Sequence, residues 1–377
     1  MSFKLLTKIL LLLVILLVLI SGVTVFGCRA GLGAVARGWS GGTIAGDTLF
    51  LGSMEGKLVA IDVSSRNRQW PDVPFEAKQT GGFLGCAPAS IPVAIYGTPA
   101  VSEDLVYVAG YNGKIYAINS ETGALRWVYP REGELEPIIG GPVVALNKLY
   151  IGSSDGWLYA LNAATGDREW EFETGDKIWS TPAIDGDTLY IGSFDKKLYA
   201  LRAADGSKKW AFQAEGAIAS TPLVHDNTVY FGSFDRYLYA LSITDGSLRW
   251  KFLAQNWFWA SPVAYNGVVY AGSLDGKVYA LKAENGDKVA EFDLGSPVIS
   301  SPILVDSSII VATEEGQIYS VDTDTNQKRQ LLNLEEEIYA PLAASNGVVY
   351  IHSDKDVLYA VDAQSGVTLW SFSLKSE

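Results

Sequence analysis

A forty-residue phrase recurs along this chain. Leu158, Tyr159, Ala160 and Leu161 lead to Trp170; Leu198, Tyr199, Ala200 and Leu201 lead to Trp210; Leu238, Tyr239, Ala240 and Leu241 lead to Trp250. The phrase returns before Ala290, Gln330 and Trp370, and upstream before Trp127 and, more worn, before Trp70, which makes eight copies. A repeat of this length means that each copy is one supersecondary unit whose apolar face is covered only by its neighbours. Such an array is a scaffold first, and a catalyst only where something is added to it.

Within residues 179–210 four short runs alternate with turns. Residues 180–184 are apolar, 188–193 are rich in β-branched and aromatic residues, 197–201 form a third run and 208–212 a fourth. The turns between them, at 185–187, 194–196 and 204–206, are built from Asp, Gly and Lys with Phe194 and Ala204. Gly accepts a positive φ and Asp bonds its own backbone, which is why they punctuate the runs. Each run has strand length, and no stretch keeps a helical period. Four antiparallel strands per repeat make the blade of a β-propeller. Trp127 to Trp170 is 43 residues, later steps are 40, and Trp70 to Trp127 is 57, so 17 residues are inserted there. The expected fold is all-β, an eight-bladed propeller of four-stranded antiparallel blades after an N-terminal apolar segment. Residues 40–45 should open blade 1 as its inner strand, and 371–377 should complete the outer strand of blade 8, so that every blade is contiguous in the chain.

One spacing recurs inside the phrase: Ala, five residues, Gly, three residues, Trp. Ala117, Gly123 and Trp127 show it, as do Ala160, Gly166 and Trp170; Ala200, Gly206 and Trp210; Ala240, Gly246 and Trp250; and Ala360, Gly366 and Trp370. This resembles the tryptophan-docking repeat of the PQQ-type propeller family, which holds quinoprotein dehydrogenases and a BamB-like lipoprotein branch. The resemblance covers residues 31–377 and implies that Trp70, Trp127, Trp170, Trp210, Trp250 and Trp370 dock blade against blade. Gly permits the tight turn into the outer strand, and Trp buries a large ring. Blade 1 has Arg66 for the Gly, blade 6 has Ala290 for the Trp, and blade 7 has Ser320, Asn326 and Gln330. Docking is expected to be weakest at blades 6 and 7.

The N-terminus carries Lys4 and Lys8 and then an apolar stretch from 9 to 26. Residues 1–27 read as a signal or membrane-anchor segment, and 28–377 as the propeller with its insertion at about 76–95. Val25, Phe26, Gly27 and Cys28 resemble a bacterial lipobox with Cys28 at the lipid-attachment position, although Phe26 is bulkier than usual there. The alternative is a single-pass membrane anchor. Either reading places the propeller on the extracytoplasmic face of the cell membrane, because Lys4 and Lys8 stay inside. The net charge of −13 becomes −15 without those two lysines, which disfavours nucleic acid as a partner. A monomeric propeller is expected.

Catalytic groups are scarce. His225 and His352 are the two histidines, and both read as turn or edge residues. Asp155, Asp195, Asp235 and Asp275 recur at steps of 40, next to Gly156 and Gly276 in two of the four cases, and read as two-residue turns. A residue present in every unit serves the unit. The quinoprotein dehydrogenases of the family carry adjacent cysteines, calcium ligands and a catalytic Asp; here Cys86 has no adjacent cysteine. No catalytic, cofactor-binding or metal residue is therefore expected, and pyrroloquinoline quinone has no support beyond the fold.

Function should lie where the copies differ. Three residues before the Pro slot of each inner strand stand Trp39, Tyr96, Ile139, Trp179, Ala219, Trp259, Ile299 and Tyr339. Five of these eight are aromatic, and Trp257 and Phe258 add to them. The position opens the innermost strand, so Trp39, Tyr96, Trp179, Trp257, Trp259 and Tyr339 are expected at one mouth of the central channel. The insertion, with Phe83, Leu84 and Cys86, and the acidic runs at 132–136 and 335–337 belong to equivalent connections. Two readings remain open: the rings plug the channel, or they form a surface for a protein or peptide partner. The expectation is a membrane-tethered, non-catalytic scaffold of the BamB-like kind, with a quinone-dependent dehydrogenase or a carbohydrate-binding propeller as alternatives.

Overall fold

The computed structural model describes residues 38–78 and 90–375. Eight antiparallel sheets follow one another along the chain, at residues 42–74, 100–129, 143–173, 183–213, 223–253, 263–293, 303–333 and 343–373. Blade 4 shows the plan: inner strand Ala183–Asp185, then Thr188–Gly192, Lys197–Arg202 and outer strand Lys208–Gln213. Each strand pairs with the next in sequence, so no blade borrows a strand from the far end of the chain. The chain is an eight-bladed propeller of four-stranded blades.

Blade 1 departs in detail. Its outer strand is broken into Asn67–Arg68 and Val73–Pro74, both paired to Lys57–Asp62. Pro71 lies in the break, and proline has no N–H to give a ladder. The ring forms one compact unit; a second takes in residues 77–91, of which the strand pair Glu76–Lys78 with Ser90–Pro92 is described. The anchor segment and Cys28, and with them Phe83, Leu84 and Cys86 of the insertion, lie outside the described residues.

The apolar core is a series of layers between neighbouring blades. Tyr190, Leu198 and Ala200 of blade 4 face Val229, Phe231 and Leu241 of blade 5. The same layer closes the ring, where Leu49, Leu51, Val59 and Ile61 of blade 1 meet Tyr350, Leu358 and Ala360 of blade 8.

The repeated signature acts across blades. Trp210 stands opposite Ala200 in its own sheet, and the register shifts between Ala200 and Leu201 to let the outer strand turn away. The ring points at the following blade. The indole of Trp170 lies against Gly206, where a Cβ would meet the ring at 2.6 Å; Gly206 also has φ +72°. Glycine is needed there for backbone and for space. The indole N–H reaches the same turn: Trp127 Nε1 donates to Ala163 O at 2.9 Å, Trp170 to Ala203 O at 3.1 Å, Trp210 to Ile243 O at 3.0 Å and Trp250 to Ala283 O at 2.9 Å. Trp70 does likewise to Ser120 O at 3.0 Å. A tyrosine of the second strand shares some of these acceptors, Tyr107 donating to Ala163 O at 3.1 Å and Tyr150 to Ala203 O at 3.0 Å. Burial pushes both of these hydroxyls up to about 12.

The lock is thus a Trp from one blade and a Gly from the next. Five consecutive junctions, from blade 1 to blade 6, have both partners. The next three do not: Ala290 meets the blade with Asn326, Gln330 meets the blade with Gly366, and Trp370 meets the blade with Arg66. In blade 7 the register shift also moves, to between Ile318 and Tyr319.

Polar contacts stand in at those junctions. Arg329 donates to Gln364 O between blades 7 and 8, and the Arg68 guanidinium lies 4.9 Å from the Phe372 ring centre between blades 8 and 1. His352 is a correction to the sequence reading, which made it an edge residue: it is only 3 % exposed. It occupies the strand end that is Gly152, Gly192, Gly232 or Gly272 elsewhere, against which Ile178, Ile218, Phe258 or Val298 of the next blade packs. The corresponding residue of blade 1 is Gly38, and the imidazole takes the side-chain volume on its own side of the junction. Nδ1 lies 3.0 Å from Ser40 O and Nε2 2.9 Å from Asp356 Oδ1. A carbonyl only accepts, so Nδ1 carries a proton. Asp356, 1 % exposed, also accepts from Met54 N–H at 2.9 Å, and its second oxygen has no partner among the described residues.

Candidate functional site

The connection from each outer strand to the next inner strand and the turn between second and third strands are knit into one face. Phe194 N–H donates to Lys177 O at 3.0 Å, Phe234 N–H to Ala217 O at 2.9 Å, and Leu274 N–H to Trp257 O at 2.9 Å. All eight positions of the uneven column stand on this face, and all are half-buried.

The aromatic members gather in two groups. In the first, Trp39 packs edge-on against Tyr96 at 4.5 Å between centroids and against Tyr339 at 5.7 Å, and Tyr96 meets Tyr111 at 5.6 Å. In the second, Trp179 meets Phe194 at 4.5 Å, Phe194 meets Phe234 at 5.7 Å, and Phe234 stacks between Trp257 at 4.6 Å and Trp259 at 5.4 Å. Ala219 explains the breadth of the second group. It leaves room for Trp179 and Trp259, two blades apart, to approach to 6.5 Å. Ile139 and Ile299 separate the groups around the ring.

Trp257 is the outermost ring, 42 % exposed. Phe258, grouped with it from the sequence, is instead fully buried in the layer between blades 5 and 6. The sequence reading missed Phe194, Phe234 and Tyr111. They occupy the turn column shared with Ser154, Leu274 and Glu314, and it too varies from blade to blade.

Charge is uneven over this face. The Lys177 ammonium lies 4.6 Å from the Trp179 ring centre and 4.7 Å from that of Phe194. At blades 7 and 8, Tyr339 donates its hydroxyl to Glu337 Oε2 at 2.7 Å and lies 3.4 Å from Glu314 Oε1. Burial first, and then these carboxylates, push the Tyr339 hydroxyl well above its ordinary range.

The recurring aspartates are structural. Their turn spans four residues rather than two: Ser153 N–H donates to Trp157 O at 3.0 Å, and Gly156 N–H to Ser153 O at 3.2 Å. Asp155 Oδ1 accepts from Trp157 N–H, and Oδ2 from the Tyr159 hydroxyl, each at 2.9 Å. Asp195, Asp235 and Asp275 bond Tyr199, Tyr239 and Tyr279 in the same way. Asp195 Oδ2 also accepts from Gly175 N–H at 2.8 Å, and Asp235 Oδ2 from Gly216 N–H at 3.0 Å, so the carboxylate ties down the incoming connection. Burial first, and then the carboxylate, raise the tyrosines. His225 pairs with Asp226 at 3.2 Å on the surface. Two cavities of about 590 and 620 Å³ are inter-blade grooves lined by Glu103 and Arg126 or by Asp306 and Arg329, away from the aromatic groups.

An eight-bladed ring locked by Trp on Gly, with varied aromatic groups on one face, is a repeat propeller similar to those of the PQQ-type, BamB-like kind. Residues 146–377 match the family model described as the beta-propeller of beta-alanine-activating enzyme; this is more than half of the chain, and the chain belongs to that family. Residues 77–179 match the family model of outer membrane protein assembly factor BamB. No curated protein sequence matches the chain. Among solved structures, BamB from Moraxella catarrhalis is similar with a TM-score of 0.67 at 20 % identity, over 90 % of this chain and 95 % of that one. The computationally designed Ika8 protein is similar with a TM-score of 0.70 at 15 % identity, over 89 % and 97 %. These likenesses establish the fold.

Proposed function

We propose that the chain is a non-catalytic binding scaffold, tethered to a membrane outside the cytoplasm, that holds a protein or peptide partner on its aromatic mouth. The observation that carries this reading is the clustering of the uneven column into two half-buried aromatic groups, with Trp257 open to solvent. Exposed aromatic clusters are recognition surfaces, because Trp and Tyr bring large contact area at little conformational cost. The partial match to an outer membrane protein assembly factor supports a place in the cell envelope and a protein partner. In this reading residues 1–27 are the signal or anchor, Cys28 carries the lipid, residues 28–377 are a monomeric propeller with an insertion near 76–95, and no cofactor is held.

Crosslinked capture from membranes tests the reading. The full chain should recover a partner that the Trp179→Ala, Trp257→Ala double variant loses, with an unchanged melting temperature. Equal recovery by both would overturn it. Replacing Cys28 with Ser should release the chain from the membrane fraction if lipid is the tether; retention would favour the uncleaved anchor.

A further inference from the structure

We infer that the mouth recognises a basic segment, one that sets an arginine or lysine on the second aromatic group beside an apolar residue. The inference rests on the binding reading above and names the partner's chemistry.

The chain itself supplies the first observation. Lys177 places its ammonium within 4.6 and 4.7 Å of the Trp179 and Phe194 ring centres, so one end of this group already holds a cation. The faces of Trp and Phe attract cations through their quadrupoles, and more strongly where water is thinned. At the other end, Trp257, Phe234 and Trp259 offer a near-parallel stack, with interplanar angles of 10° and 19°. Among the described residues no cation of this chain lies over that end. Trp257, 42 % exposed, is the ring a partner would meet first.

Charge supplies the second observation. The connection carrying Trp257 and Trp259, residues 254–262, has no charged residue. The neighbouring sector, the turns and connection of blades 7 and 8, has Glu314, Glu315, Glu335, Glu336, Glu337 and Asp354 against Lys355. Tyr339 ties the two together, because it is a member of the mouth column and bonds Glu337. Tyr339 stands two blades from Trp259, with Ile299 between them in the column. An apolar, ring-lined sector next to an acidic one complements a chain in which apolar and basic side chains alternate. Acidic or phosphorylated segments are repelled by the same sector.

The test uses the full chain in detergent and three ten-residue peptides: alternating leucine and arginine, its citrulline counterpart of the same shape without charge, and its glutamate counterpart. Titration calorimetry should give the arginine peptide at least tenfold tighter binding than the citrulline peptide, none for the glutamate peptide, and weakening with salt. Trp257→Ala should weaken the arginine peptide about tenfold and Glu337→Gln several-fold, whereas Asp205→Asn, on the opposite face, should leave it unchanged. Trp257→Phe should restore much of the affinity, which separates recognition from folding. Equal binding of the citrulline peptide, or insensitivity to Trp257→Ala, overturns the inference. So does binding of a neutral oligosaccharide in place of the arginine peptide. If membrane capture still depends on Trp179 and Trp257 while the arginine peptide fails, the scaffold reading stands and the basic specificity falls.

Discussion

The junctions from blade 1 to blade 6 and those from blade 6 back to blade 1 solve one packing problem by different means. The first set presses an indole onto a glycine and donates its N–H to a carbonyl of the next turn. The second lacks one partner of the lock or both and uses a guanidinium on a carbonyl, a cation on a ring, and a buried His–Asp pair. The turns that should receive an indole in blades 7, 8 and 1 are braced from within. Asp322, Asp362 and Asp62 each accept from a backbone N–H and a hydroxyl three residues on or nearer. The apolar layers continue around the ring, so the difference concerns locks and leaves the core intact. Aromatic locks are indifferent to pH and salt, while polar ones respond to both.

The largest expected effect is at a complete lock. Trp210→Ala should cost about 3–5 kcal/mol by urea unfolding, whereas Gln330→Ala, at an incomplete one, should cost about 0.5 kcal/mol or less. Equal costs would erase the distinction. His352→Ala comes next, at about 3 kcal/mol, because it leaves the buried Asp356 carboxyl without its ring partner. Hydrogen exchange should show the loss first near Ser40 and Met54 and leave blades 3 to 5 protected. A gain is expected from completing a lock: Ala290→Trp with Asn326→Gly should raise stability by about 1 kcal/mol, and neither change alone should match it.

The smallest effect is acid sensitivity. The Asp62 carboxyl is lowered to about 2, chiefly by the Ser65 N–H and then by the Ser64 hydroxyl, and those of Asp322 and Asp362 are lowered by the same kind of contact. A carboxyl depressed in the folded state stabilises above its unfolded value and loses that contribution as pH falls through the folded one. Exchange at these three turns should therefore quicken between about pH 4 and 2, ahead of the Gly123 turn, where the bracing acceptor is the untitratable Asn119 amide oxygen. Simultaneous loosening of all turns would remove the contrast.

Much of this was legible in the chain. The forty-residue step fixed blade number, and Ala, Gly and Trp marked the lock. Its direction was not legible, because spacing cannot say that Trp170 serves Gly206 rather than Gly166. The tyrosine that shares the carbonyl was hidden in the apolar pattern of the second strand. Phe194 and Phe234 looked like turn residues because they follow Ser193 and Ser233. His352 was misread since its meaning lies in Gly38, more than three hundred residues away and adjacent only after closure. Ala219 matters through what it omits, and only the distance between Trp179 and Trp259 reveals it.

The lock that spans two blades bears on how such a ring could grow. Trp170 and Gly206 are 36 residues apart, just under one repeat, and the other complete pairs downstream keep that interval. A forty-residue length copied from within this region, wherever the cut falls, brings one indole and one receiving glycine. Each new unit arrives able to join both neighbours, with no second change needed next door. Tandem duplication would thus extend the array in register, leaving only the last joint, where the first and last blades meet, to be fashioned separately.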